Sequence, residues 1–337
     1  MSKARSREAF EGYLFLLPNF LGFLIFMAVP LALSFYYSFT DYDLFNTPNV
    51  IGLENYSKAL GVSFDSEAYR TALNEGKTWL DAVGKYIKPN DPTLYLSLRN
   101  TAVYAIGVLF FSIIPAFFLA WMLNSKLKGM TIFRGMFYIP VVASIVGSAL
   151  VWKWIYQQNS GNMNVAIGGI VNFLNQIIFK PLGHPLADPL IGWLVTPQWA
   201  LISLIILTSW ATIGYDMVIF LAALQGIPNY LFEAATVDGA SRWDTLVKIV
   251  IPLLSPTIFF VLVTNTINVL QVFPEPYIMT LGGPANSTLT IVYYLYQKGF
   301  QRFQMGYGAA LAWLVFAMIF IVTQAQFRIS KRLVFEE

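Results

Sequence analysis

The sequence contains no cysteine and only one histidine, His184. That excludes disulfides, thiolate metal sites, cysteine nucleophiles and any multi-histidine metal centre. Charge is scarce as well. Asp, Glu, Lys and Arg make up 12% of 337 residues, where soluble domains carry about 25%. A soluble fold of this length has too few charges to cover its surface; a bilayer removes the need, because the outer surface then faces hydrocarbon. The net charge of +3 calls for no nucleic-acid partner. No G-x-x-x-x-G-K-[ST] loop is present, so the chain does not cradle ATP phosphates by itself. No serine elbow and no cluster of histidines or carboxylates argues for a membrane-embedded enzyme.

What the sequence does have is apolar length. Hydrophobic residues make up 57% and the mean hydropathy is +0.60. About 20 apolar residues cross a hydrocarbon core, and six segments qualify: Tyr13 to Phe39, Thr101 to Asn124, Ile132 to Tyr156, Trp199 to Leu224, Pro252 to Met279 and Tyr307 to Phe327. Lipid offers the backbone no hydrogen bonds, so each must be helical. The expected fold is an all-α integral membrane protein with six transmembrane helices. Lys3, Arg5 and Arg7 precede the first apolar stretch. That stretch exceeds the roughly 7–15 residues of a signal h-region and no small-residue cleavage site follows, so it reads as a retained crossing. Basic tails, "SKARSR" at the start and "RISKR" near the end, place both termini in the cytoplasm.

The expected layout is a cytoplasmic tail over 1–12, a membrane domain over 13–337, a long outer loop over 40–100 between the first two helices, and a cytoplasmic loop over 225–252 between the fourth and fifth. In the first outer loop Leu73, Leu80, Val83 and Ile87 stand at near-helical spacing, which fits either a small external helical cap or a solvated loop with a helix lying on the interface. In the second, "GNMNVAIGGIVNFLNQIIF" is interrupted by Gly168 and Gly169 and reads as an interfacial or re-entrant helix.

The inner loop runs "QGIPNYLFEAATVDGASRWDTLVKIVIPLLSP". Pro228 and Asn229 signal a helix start, Asp238-Gly239 a break, and Ser241 with Asp244 a capping box opening a second helix. Pro252 and Pro256 mark the next crossing. Two short helices joined at Gly239 suit a groove on a soluble partner.

Glu233-Ala234-Ala235, three residues, Gly239, nine residues and then Ile249-Val250-Ile251-Pro252 resembles the EAA loop of ABC importer permeases, with Ile251 where that family has Leu. "YLFLLPNFLGFLIFMAVPLALSFYYSFTDYDLF" and "LGGPANSTLTIVYYLYQKGFQRFQMGYGAALAW" resemble the opening and the fifth-to-sixth helix region of maltose-type, carbohydrate-importing permeases. The resemblance implies a permease subunit of the bacterial cytoplasmic membrane, one half of a heterodimeric pore for a sugar or related small solute. It implies a second permease, two ATPase subunits, which alone hold ATP and Mg, and an external solute-binding protein. This chain itself needs no cofactor and is not an enzyme. Glu233, Ala234, Ala235, Asp238, Gly239, Ala240 and Pro252 would couple to the ATPase, with Glu233 the acidic anchor and Gly239 the turn.

Polar residues inside the crossings are the candidates for the solute path. Thr208, Thr212 and Asp216, at i, i+4 and i+8, cover about 80° of one helix face; Asn265, Asn268 and Gln271, with Glu275, fall within about 120°. Ser144 and Ser148 add a pair on the third helix. Such side chains either meet sugar hydroxyls, which donate and accept at once, or glue helices together. Ser144, Ser148 and Thr208 read as glue, Asn265 and Asn268 as path, and Asp216 as either. Trp210, Trp313 and Tyr307 offer apolar faces for a sugar ring. Two other functions stand beside the importer: an ion-coupled carrier using Asp216, and a membrane-embedded enzyme.

Overall fold

The computed structural model describes residues 3–64, 71, 87–124, 129–180, 186 and 190–333. Helix α1 (Lys3–Phe23) continues through a π-helical turn (Leu24–Ala28) into α2 (Val29–Tyr37). A short helix α3 (Glu54–Leu60) and a two-stranded antiparallel hairpin, β1 (Val62–Phe64) with β2 (Ile87–Pro89), follow. Then come α4 (Pro92–Leu123), α5 (Met130–Val142), α6 (Ile145–Ile155), α7 (Asn162–Leu174) and α8 (Pro197–Gly226). The loop between the fourth and fifth crossings holds α9 (Asn229–Val237) and α10 (Arg242–Thr245), the latter extended by a π turn to Val250. The chain closes with α11 (Ile251–Leu270), α12 (Pro274–Met279), α13 (Ile291–Tyr296) and α14 (Met305–Leu333).

Among the described residues five helical stretches are long and apolar enough to cross a membrane: 11–37, 92–123, 197–226, 242–279 and 305–331. α5 and α6 pass the same test only as a pair, bent by 98° at their break, and make a sixth where the two count as one span. Four expectations need correction. The third crossing is not one helix. Pro140 lacks the N–H that would bond the preceding turn, and Ala143 and Ser144 are extended, with ψ of 140° and 128°. The fifth, though one span over 242–279, is interrupted: α11 stops at Leu270, Pro274 has no N–H to bond back to that turn and keeps Phe273 out of the helical region, and α12 opens on this proline. The second crossing starts at Pro92, nine residues early, since proline suits the first helical position. Ile87 lies in β2, paired with Phe64, rather than in a helical cap; Leu73, Leu80 and Val83 fall outside the described residues. The segment after Gly161 is helical over α7 and a π turn to Phe179, and falls short of a span.

The chain divides into two compact units, 1–92 with 295–316 and 93–294 with 317–337. In the first, Gly306 lets α14 meet the chain after α2: its N–H bonds Tyr42 O at 2.9 Å, and a Cβ there would run into Thr40 O. Gly308 likewise lies against Gly299. Both glycines serve close packing.

The second unit has two apolar clusters. Tyr104, Val108, Ala149, Leu204, Leu207 and Val269 belong to one; Ala116, Phe117, Met217, Phe220, Leu246 and Val261 to the other. α5 crosses α8 at Gly214, where any Cβ would strike the Phe137 carbonyl. Gly214→Ala is therefore expected to destabilise by about 1–3 kcal/mol, as other overpacked cores do. Thermal unfolding in detergent reads this directly, and an unchanged midpoint would mean that α5 is not seated there.

Candidate functional site

The loop over 225–252 folds into the two helices expected of it. α9 splits into two stripes at helical spacing. Leu231, Phe232 and the buried Ala235 turn inward, and Leu231 and Phe232 pack on the cluster that holds Leu246, Val250 and Leu254. Tyr230, Glu233, Ala234 and Val237 turn outward, with Val237 88% exposed.

The joint between the helices has a definite hydrogen-bond pattern. Ala240 N donates to Ala235 O at 2.9 Å and Gly239 N to Thr236 O at 3.1 Å. These are the 6→1 and 5→2 bonds of a Schellman motif, which places its turning residue in the left-handed region; Gly239 has φ of +71°. Two residues later Ser241 Oγ accepts from Asp244 N at 3.1 Å, while Ser241 N donates to Asp244 Oδ2 at 3.3 Å. Lys248 holds the other oxygen of Asp244 at 2.6 Å. A helix stop and a helix start are thus set back to back. Asp238 and Ala240 are exposed at the joint, and half-buried Pro252 opens α11. Of the expected coupling residues, only Ala235 is turned inward.

The candidate path residues separate into buried and exposed sets. Asp216 is 1% exposed. Its Oδ2 accepts from Ser112 Oγ of α4 at 2.5 Å and from Asn265 Nδ2 of α11 at 2.8 Å. Thr208, also buried, accepts from Tyr104 OH at 2.8 Å and donates to Glu275 Oε1 at 3.2 Å. These two knots form a ladder. Tyr104 and Ser112 are eight residues apart on α4, as Thr208 and Asp216 are on α8, so both rungs join residues 104 apart. A constant offset requires α4 and α8 to run in the same direction, with rungs about 12 Å apart at 1.5 Å per residue. The Asp216 rung sits where the two apolar clusters meet, between Val108 and Ala116 on α4 and between Leu207 and Met217 on α8.

Asp216, Asn265 and Thr208 therefore hold helices together. Asn265, expected to line a path, is buried and gives one N–H of its amide to Asp216. Ser148 is buried as well. Asn268, Gln271 and Ser144 are exposed and Thr212 is half-buried, its hydroxyl bonded back to Thr208 O at 2.6 Å. The end of α11 separates Gln271 and Glu275 from the face that an unbroken helix would give them; Gln271 caps α11 and Glu275 is buried on α12. Among the aromatic candidates, Trp210 is partly exposed against Trp152, Trp313 packs on Phe35 at 4.8 Å, and buried Tyr307 donates to Asp91 at 2.5 Å. Sequence reasoning missed Tyr104 and Ser112. Their eight-residue spacing matches that of Thr208 and Asp216, which was the available signal.

Residues 98–335 match the model of the family described as binding-protein-dependent transport system inner membrane component. The chain belongs to this family. It is 35% identical over 335 residues to the probable ABC transporter permease protein YesP of Bacillus subtilis, a match spanning 98% of this chain and 94% of that one. It is 36% identical over 244 residues to the lactose transport system permease protein LacF of Rhizobium radiobacter, spanning 71% and 76%. The arabinooligosaccharides transport system permease protein AraP of Bacillus subtilis is 30% identical over 320 residues, 94% and 88%. A chain of a bacterial ABC transporter involved in importing the acidic polysaccharide alginate shares the fold, with TM-score 0.71, 21% identity and 98% of each chain covered. The protein is thus an ABC transporter permease, the membrane component of a binding-protein-dependent system. Through Oδ2, Asp216 joins α8 to both α4 and α11.

Proposed function

We propose that this permease forms one half of the pore of a sugar importer, with α9 and α10 as the element that ATPase subunits move. Both termini and α9–α10 lie in the cytoplasm in this reading, and a second permease and an external solute-binding protein complete the assembly. The carrying observation is the rigid Schellman-and-capping-box joint, which presents Tyr230, Glu233 and Val237 outward on a base packed into the membrane unit. Glu233 offers the partner a negative charge and Val237 an apolar knob. Relatives named for lactose and for arabinooligosaccharides support the solute class. ATP and Mg belong to the partner subunits.

The test is affinity purification in mild detergent from the native membrane. An ATPase and a second permease that co-elute in stoichiometric amounts would support the assignment; a chain that elutes alone, even after crosslinking at α9, would sink it.

The solute meets the exposed polar residues Asn268, Gln271 and Ser144 and the half-buried Thr212. Asn268→Leu is expected to lower uptake about five- to tenfold, the worth of one hydrogen bond of about 1–1.4 kcal/mol, with the assembly unchanged. Equal uptake by the variant would move Asn268 from the path to packing.

A further inference from the structure

The first unit contains a cavity of about 500 Å³ at the end of the first crossing, where the 41–58 segment faces the 302–307 segment. That volume lies within the range of about 300–1,000 Å³ typical of small-molecule sites. Its walls are fixed by hydrogen bonds. Asp41 Oδ1 accepts from Asn49 N at 2.8 Å, and Asp43 Oδ1 accepts from Phe45 N at 3.0 Å and Asn46 N at 2.8 Å. Asn55 Nδ2, buried, bonds Ser38 O and Thr40 O at 3.0 and 2.9 Å. The Gly306–Tyr42 bond ties the two walls together.

Phe303, which lines the cavity, and Leu44, between the lining residues Asp43 and Phe45, are strained. Leu44 has φ of +74° and Phe303 of +57°, a region that costs a residue with a Cβ about 1–2 kcal/mol. Such strain persists where the surroundings enforce it and gathers at functional sites. Here it brings the rings of Phe45 and Phe303 edge to face at 5.2 Å, with Phe45 74% exposed and Phe303 44%. Burial within the first unit does not account for these two exposed rings.

The chemistry around the rings is mixed. Backbone N–H groups of Asn49 and Asn46 hold Asp41 and Asp43 below the usual carboxylate range, so both are ionised at neutral pH with lone pairs to spare. Glu54 adds a third carboxylate, Gln304 an amide, and Lys58 and Arg302 donors. An acyl chain has no use for these groups. An anion meets three carboxylates, and a cation meets Lys58 and Arg302. A neutral sugar presents an apolar C–H face to the rings and hydroxyls that donate and accept to the rim. We propose that this cavity is an entry subsite for a neutral saccharide, outside the membrane path. The assignment rests on the orientation and solute class given under Proposed function.

The test uses the purified membrane assembly without its external binding protein, offered lactose, arabinotriose and an alginate trisaccharide, with saturation transfer from protein to sugar as the readout. Transfer to at least one neutral sugar is expected, exceeding that to the acidic trisaccharide and falling about three- to tenfold in Phe45→Ala. Phe45 is exposed, so the unfolding midpoint should hold; Glu54→Gln supplies a second variant that preserves shape. Transfer indifferent to both substitutions overturns the subsite. So does absent transfer of a sugar that still stimulates the ATPase once the binding protein is restored, and in either case the importer reading stands. If none of the three sugars stimulates the ATPase, the solute class falls and the subsite with it.

Discussion

Gly239→Val is expected to uncouple the permease from its ATPase while leaving it folded in the membrane. The position has φ of +71°, and a Cβ built there meets nothing within 4 Å. The penalty is therefore conformational and not steric. A β-branched residue is a genuine outlier in the left-handed region, where the usual cost is about 1–2 kcal/mol. That is small beside the stability of the membrane unit but large for a two-helix joint held by two backbone bonds and a capping box. The chain at 239 is expected to relax toward negative φ, which breaks the bonds from Gly239 N to Thr236 O and from Ala240 N to Ala235 O and swings α9 relative to α10. Uptake should fall at least about tenfold, with co-purified ATPase reduced alike and the amount of membrane-inserted permease unchanged. Gly239→Asn, which tolerates this region, should recover most of the activity. Glu233→Ala should weaken docking without touching the joint. ATPase that co-purifies undiminished with Gly239→Val would remove the joint from the coupling path.

The second large effect is expected at Asp216. Asp216→Ala strands the Ser112 hydroxyl and the Asn265 amide, both buried. An orphaned buried donor costs about 1–3 kcal/mol, whereas a single interhelical bond in a membrane protein averages about 0.6 kcal/mol. Asp216→Ala should therefore lower the unfolding midpoint more than Ser112→Ala, and Asp216→Asn, which keeps an acceptor and the shape, should lie between wild type and Ala. A double-mutant cycle between positions 216 and 265 should return a coupling of about 0.5–1.7 kcal/mol. A coupling near zero would mean that the rung holds nothing, and Asp216 would return to the list of path residues.

The coupling joint was legible from sequence because its determinants are local. A left-handed turn wants glycine, and a capping box needs a serine and an acid three residues apart; Gly239, Ser241 and Asp244 meet both requirements. The breaks were harder to see. Apolar composition runs without interruption through Ala143 and Ser144, and prolines inside membrane helices are commonly tolerated, so Pro140 did not by itself announce a bend. At Pro274 and Pro276 the signal was present, but the apolar run hid it. Periodicity placed Thr208, Thr212 and Asp216 on one face of a helix, but it does not say what that face meets. Only the register of α4 against α8 shows that this face meets Tyr104 and Ser112, and that partner lies 104 residues away in the chain.

That separation also sets the timing of the ladder during synthesis. A ribosome adding about 5–20 residues per second needs roughly 5–20 s to reach Asp216 after completing Ser112, and a few seconds more to reach Asn265, 49 residues further on. α4 enters the bilayer carrying hydroxyls whose acceptors do not yet exist, which lone Tyr and Ser side chains can endure. The costly carboxylate arrives later, when Ser112 is already in place to receive it. The order of the three residues along the chain spares the nascent protein a solitary carboxyl group in lipid.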